Sequence, residues 1–278
     1  MPYAERPGAK IYYETYGEGP ALVLAHGAGG NRISWWQQVP HFARDHRVVL
    51  IDHRNFGRST ADSFLPSEFP SDLEAVLDAA SVGDFAIVCQ SMGGWTGLPF
   101  ALRHEGRVRA LVLACTPGGF CDDAVLASVA ETGRRIEAAG IDHTPALGAS
   151  FARRRPDLVH LYDQIGALNT RVELSSVTRL FEPVARVAPE QAQRLATPTL
   201  LLTGDEDLLF PSAMMHGVAK ALPGAEIEEI PGAGHSIYFE MPERFNALVS
   251  DFLRHHREAW DPGSAASPAP PGRAGTGA

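Results

Sequence analysis

The stretch Phe85-Ala86-Ile87-Val88-Cys89-Gln90-Ser91-Met92-Gly93-Gly94 decides how the rest of the chain is read. Its first four residues are apolar without a break and predict a buried strand, which runs into a polar residue and a serine. The two glycines that follow permit a turn tight enough for the chain to reverse directly into a helix beginning near Trp95. A serine in that place is a candidate nucleophile. An ordinary strand-to-helix turn would also accept one, so the flanking segments have to decide.

Working outward, strand and helix signals alternate on both sides of this stretch. Upstream, Lys10 to Tyr16 is aromatic and β-branched and closes at Gly17-Glu18-Gly19-Pro20, a strand ended by a turn. Ala21 to Ala25 follows as a continuous apolar strand, and its lack of alternation predicts burial on both faces in a parallel sheet. The strand opens into His26-Gly27-Ala28-Gly29-Gly30-Asn31, a loop whose backbone can approach a ligand closely. Trp35 and Trp36 are placed on the helix expected next, where core packing is the first reading of both. Arg47 to Asp52 is the next parallel strand. Ser71 to Ala80 has apolar residues at helical spacing with acids between them, an amphipathic helix. Downstream of Ser91, a helix through Leu102 and a strand over residues 108–115 complete an alternation that predicts a three-layer α/β domain.

The alternation stops at Thr116-Pro117-Gly118-Gly119, and from Phe120 to Leu195 the pattern is helical with intervening prolines. The run Arg153-Arg154-Arg155 reads as a solvated face, as do Arg134, Arg135 and Arg171. Strand character returns at Pro198 to Gly204 and ends in Asp205-Glu206-Asp207, acids at the edge where parallel sheets build their sites. A strand over residues 227–230 leads to Pro231-Gly232-Ala233-Gly234-His235-Ser236 and then to an amphipathic helix from Pro242 to Leu253. Residues 261–278 are dominated by Pro, Gly, Ser and Ala and are expected to be disordered.

Composition bounds the function. With 278 residues, 45% of them hydrophobic, the chain can bury one sizeable core, or one core with an inserted subdomain. A net charge of -9 argues against a protein that tracks nucleic-acid phosphates, since that needs a basic face; a small-molecule substrate fits better. Cys89, Cys115 and Cys121 are odd in number and lack C-x-x-C spacing, so neither a disulfide framework nor a zinc site is indicated, and no cofactor is implied. The first six residues lack the apolar stretch of a signal peptide, and no later run approaches a membrane span. A soluble, cytoplasmic protein without a membrane partner is expected, with a homodimer left open.

Taken together, these segments resemble the α/β-hydrolase family over roughly residues 10–256. The Ser91 turn looks like that family's nucleophile elbow, a strained turn that lifts the hydroxyl above the sheet, with Cys89 standing where the pattern G-x-S-x-G has its first glycine. That position is pressed between strand and helix and asks for a small side chain. The resemblance implies that the amides of Ala28 and Met92 form an oxyanion hole. Asp52 to Ser59 is similar to the family segment D-x-R-G-x-G-x-S, read as scaffold, with Asn55 replacing a glycine at a position where asparagine tolerates a left-handed backbone. His26 is read as structural. The pattern G-x-x-D selects Asp207 as the acid, with Asp205 as the alternative; Cys115-Thr116 offers none after the preceding strand. His235 then completes the order Ser91, Asp207, His235 as the general base.

The implied organisation is a core of residues 1–116 and 196–260 with a helical cap over residues 117–195. The implied chemistry is acyl transfer to water from an ester, thioester or lactone of a small, partly hydrophobic molecule. A serine at the elbow disfavours dehalogenase and epoxide hydrolase chemistry, whose members place an aspartate there. Cys89 is disfavoured as the nucleophile, being inside the strand without an electropositive setting. Two alternatives stand beside this reading. One is the carbon–carbon bond hydrolase branch, which tends to carry asparagine before the nucleophile and tryptophan after the base, where this chain has Gln90 and Ser236. The other is a ligand receptor or signalling protein on the same fold.

Overall fold

Residues 3–256 are described by a computed structural model, so the tail over 261–278 lies outside the described residues. Among the described residues, nine strands make one sheet: β1 (Tyr3–Arg6), β2 (Ala9–Tyr16), β3 (Ala21–Ala25), β4 (Arg47–Ile51), β5 (Thr60–Ala61), β6 (Phe85–Gln90), β7 (Val108–Ala114), β8 (Thr199–Gly204) and β9 (Glu226–Ile230). The spatial order is β1-β2-β4-β3-β6-β7-β8-β9, with β5 on β2. Strands β4, β3, β6, β7, β8 and β9 run parallel, and β1, β2 and β5 join antiparallel.

The helices are α1 (Val39–Phe42), α2 (Phe69–Ala79), α3 (Gly94–Arg103), α4 (Asp123–Ala130), α5 (Thr132–Ala139), α6 (Ala149–Arg154), α7 (Pro156–Ala167), α8 (Pro189–Ala192), α9 (Ser212–Ala221), α10 (Ile237–Glu240) and α11 (Pro242–His255). They cover the sheet on both faces, because alternate strand residues point to opposite sides. Val23, Val49 and Ile87 pack with Leu73 of α2, Leu98 of α3 and Met215 of α9. Leu22, Val48 and Val88 pack with Phe42 of α1 and with Phe245 and Val249 of α11. Every residue of β6 and β8 is buried, which is why both strands read as unbroken apolar runs.

Two expectations need correction. Trp35 and Trp36 do not share one helix: Trp35 ends a short 3-10 turn, Arg32–Trp35, and is fully buried, whereas Trp36 is 44% exposed. Successive side chains on a 3-10 turn point about 120° apart, and here that step turns Trp36 to solvent while Trp35 enters the core. The helix expected over residues 71–80 starts at Phe69, where Pro70 occupies the first turn that tolerates it.

Helices α4 to α8 lie between β7 and β8, and a single bridge from Phe120 to Val187 joins the two ends of that segment. Among the described residues, no helix is long and apolar enough to cross a membrane.

Candidate active site

Ser91 follows β6 directly and takes a φ of +49°, in the left-handed region that most side chains avoid. Such a conformation costs about 1–3 kcal/mol and persists where the surroundings over-determine it. Here the surroundings are two close approaches that depend on missing side chains. A Cβ on Gly93 would lie 2.2 Å from the Ala25 carbonyl oxygen, and one on Gly27 would lie 2.9 Å from the Ser91 Cβ. The turn is thereby pressed between β3 and the loop that follows it.

The sidedness of Cys89 explains the departure from the family pattern. Its side chain is fully buried and faces α3, where a Cβ on Gly97 would meet its sulfur at 2.4 Å. The glycine missing from the strand is supplied on the facing helix, so the close packing survives. Burial pushes the Cys89 thiol far up, which removes it as a nucleophile.

Three residues from distant parts of the chain meet at this turn. His235 Nε2 lies 2.8 Å from Ser91 Oγ, and His235 Nδ1 lies 2.9 Å from Asp207 Oδ2. The other Asp207 oxygen accepts from the amides of Leu209 at 2.8 Å and Phe210 at 2.9 Å. A carboxylate so held only accepts, so Nδ1 carries the imidazole hydrogen and Nε2 is left to accept from the serine hydroxyl. Asp207 and His235 are buried, and Ser91 is half-buried. Asp205, the alternative acid, accepts from the Gly232 amide at 2.7 Å and so holds the turn before His235.

The scaffold readings correspond to specific bonds. His26 donates from Nδ1 to the Gly27 carbonyl at 2.8 Å and accepts at Nε2 from the His53 amide at 3.0 Å. Burial pushes both imidazoles down, so they stay neutral in the folded protein. Asp52 accepts from the amides of Arg32 and Arg58, and Asn55 takes the expected left-handed φ of +67°. Met92 is the residue after Ser91 and is buried. Ala28 is half-buried and borders an open cleft with Gly29, Tyr162, Asp163 and Asn169.

Several residues at the site carry no signal in the sequence. Gln90 donates from Nε2 to the His235 carbonyl at 3.1 Å, and Ser236 bonds the Tyr162 hydroxyl at 3.0 Å. Phe210 packs edge-on to His235 at 5.4 Å between ring centroids, and Trp95 and Phe181 extend that aromatic wall. Arg135 departs from its reading as solvated: half-buried, it donates to the carbonyls of Leu208 at 3.1 Å and Leu209 at 3.3 Å, propping the turn that bears Asp207. Arg153, Arg154 and Arg155 are exposed as read.

Cys115, Asp207 and His235 place their donor atoms within 4.8 Å of one another, close enough to share a metal ion. Burial pushes the Cys115 thiol well up and opposes that use, since the ligand form is the thiolate.

The chain is 31% identical over 268 residues to a RutD protein of Azorhizobium caulinodans named for carbamate hydrolysis, covering 91% of this chain and 98% of that one. A RutD protein of Caulobacter sp. strain K31 is 28% identical over 87% of this chain and 95% of its own. Among solved structures, an N-acyl homoserine lactone degrading enzyme superposes with a TM-score of 0.75 at 28% identity, over 90% of this chain and all of that one. Residues 20–242 match the family described by its alpha/beta hydrolase fold, and the chain belongs to that family.

Proposed function

We propose that this protein is a serine hydrolase that cleaves a carboxylic ester, thioester or lactone of a small, partly hydrophobic molecule through an acyl-enzyme. The observation that carries the reading is the unbroken relay from Ser91 Oγ through His235 to Asp207, at 2.8 and 2.9 Å. In this reading His235 takes the Ser91 proton as Oγ attacks the acyl carbon. Asp207, pinned by two amides, orients the imidazole and stabilises it once charged. The amides of Ala28 and Met92 hold the oxyanion, each contributing about 3 kcal/mol to the transition state. His235 returns the proton to the leaving group, and water resolves the acyl-enzyme in the second half of the cycle.

The aromatic wall of Trp95, Phe181 and Phe210 beside His235 supports a hydrophobic portion in the substrate. The substrates named for the relatives support the bond class. A carbamate and a lactone both hold an acyl carbon bonded to a heteroatom, which this relay is built to attack.

The test is hydrolysis of a p-nitrophenyl ester series and a p-nitrophenyl carbamate by the wild type and by Ser91→Ala, with intact mass spectrometry after a serine-directed phosphonate. We expect turnover to fall by about 10⁴-fold or more in the variant, and the adduct to map to Ser91. Labelling without turnover on any of these substrates would move the assignment to carbon–carbon hydrolysis or to a receptor. Neither labelling nor turnover would remove the triad.

A further inference from the structure

Glu240 ends α10, five residues beyond His235, and is 6% exposed. Its carboxylate is fully engaged by backbone. Oε2 accepts from the amides of Gly234 at 2.8 Å and Gly148 at 3.2 Å, and Oε1 accepts from the Ser236 amide at 3.1 Å. One side chain therefore holds both chain neighbours of His235 together with the residue that opens α6.

A second carboxylate repeats the arrangement on the acid side. Glu206, adjacent to Asp207, accepts at Oε2 from the Ser150 amide at 2.7 Å. The junction is too tight for side chains in between: a Cβ on Gly234 would lie 2.1 Å from the Gly148 nitrogen, and one on Gly148 would lie 2.9 Å from Glu206 Oε2 and 3.0 Å from Glu240 Oε2. Neither carboxylate takes part in the relay through Ser91.

We propose that Glu240, with Glu206 beside it, is a positioning residue that ties segment 147–150 to the loops bearing His235 and Asp207, so that α6 and the base loop hold one arrangement. The inference rests on the reading of Ser91, His235 and Asp207 as the reacting triad. Burying a carboxylate is costly, and a well-packed apolar residue would cover the same surface at less cost. What the carboxylate adds is acceptors for three amides that face one another across the junction, each of which would otherwise lose a charge-assisted bond.

The latch is also sensitive to protons. Burial pushes the Glu240 carboxyl up to about 7, against the three amides, which favour its charged form. The groups facing it are Asp207 and Glu206 from the loop after β8, Tyr162 from α7, Cys115 from the end of β7, Tyr238 from its own helix and His235 from its own loop. Protonation takes one acceptor from the shared amides. Acidification through neutrality therefore weakens the latch.

The experiment combines amide hydrogen exchange with a pH profile on full-length wild type, Glu240→Gln, Glu240→Ala and Glu206→Gln. In Glu240→Ala we expect exchange at Gly148, Gly234 and Ser236 to rise together by about tenfold or more, with Glu240→Gln intermediate. Glu206→Gln should release Ser150 instead, and it carries the comparison should Glu240→Ala fail to fold. For a p-nitrophenyl ester, kcat should fall about tenfold in Glu240→Ala with KM nearly unchanged. The profile of log kcat/KM should carry a step of up to about one log unit near neutrality in the wild type, and the step should be absent from Glu240→Gln.

Faster exchange at Gly234 and Ser236 without Gly148 would overturn the tie to α6, and the same step in Glu240→Gln would reduce Glu240 to a structural role and overturn the positioning role. A phosphonate adduct on wild-type Ser91, with variants that exchange and titrate normally, overturns the latch alone. Absence of the adduct overturns the triad reading itself.

Discussion

Strand β6 and helix α5 stand at opposite ends of a scale of burial. Every residue of β6 is buried, whereas α5, in the segment between β7 and β8, buries none. The sheet is held by apolar contact on two faces, which is non-directional and large in sum. The inserted segment adds buried apolar residues to both faces of that core, among them Leu147, Phe151, Ile165 and Leu180, and it also meets the loops around Ser91 through directed polar bonds between residues remote in sequence. Asn169 accepts from the Gly57 amide at 2.9 Å and donates to the Gly30 carbonyl at 3.0 Å, and Asn31 donates to the Ile165 carbonyl at 3.0 Å. Glu206 and Glu240 do the same beside Asp207 and His235. The difference teaches that the inserted segment shares in the apolar core, while the loops beside Ser91 are fixed by polar bonds that a substitution can remove separately.

Substitutions in the two regions should therefore separate along two observables. The largest effect on folding is expected for Gly93→Ala, which drives a Cβ to 2.2 Å from a backbone oxygen that cannot step aside. It should cost about 3 kcal/mol, read as a lowered Tm or loss of soluble protein. Asn169→Ala should act in the other sense: kcat/KM falls about tenfold as the 26–31 loop loses its tether, while Tm drops much less than in Gly93→Ala. Equal losses of Tm in both variants would break the distinction and make the polar ties of Asn169 part of the stabilising framework.

A pH series sharpens the comparison from the core side. His26 and His53 are held below their ordinary value of 6.5 by burial, so the folded protein refuses protons that the unfolded chain accepts. Their contribution to stability is fully present above pH 6.5 and is lost as pH falls below it. Tm should decline over that range, and His53→Gln should make the decline shallower. The smallest effect belongs to Arg155→Ala on the exposed face of the inserted segment, where the pair with Asp157 is open to solvent and no change in Tm or turnover is expected.

Legibility in the sequence followed the same division. Strands β3, β4, β6, β7 and β8 were readable because burial on both faces leaves apolar runs, whereas β1 and β5 were not read, and Ser91, Asp207 and His235 were readable through the family resemblance of the turns that follow β6, β8 and β9. Asn55 was readable because few residues other than glycine accept its backbone. Arg135 was misread as solvated, since nothing local distinguishes an arginine that caps distant carbonyls from one that faces water. Glu240 was passed over for a similar reason: an acid before Met241-Pro242 looks like any surface helix residue. Trp36 erred in the opposite direction, its bulk suggesting burial that the turn geometry denies.

By itself, the sequence determined the alternation of strands and helices and the tight turn at Ser91, while Ser91, Asp207 and His235 were picked out as a candidate triad through resemblance to the α/β-hydrolase family. The alternation and the turn follow from periodicity and backbone conformation, which are properties of neighbours in the chain. The tertiary structure alone decided that a glycine on α3 accommodates Cys89, that Gln90 and Tyr162 brace the loop bearing His235, and that two carboxylates join segment 147–150 to the loops of Asp207 and His235. Those contacts join residues brought together only by closing the fold, and a hydrogen-bonding side chain does not reveal in its own neighbourhood which distant amide it will meet.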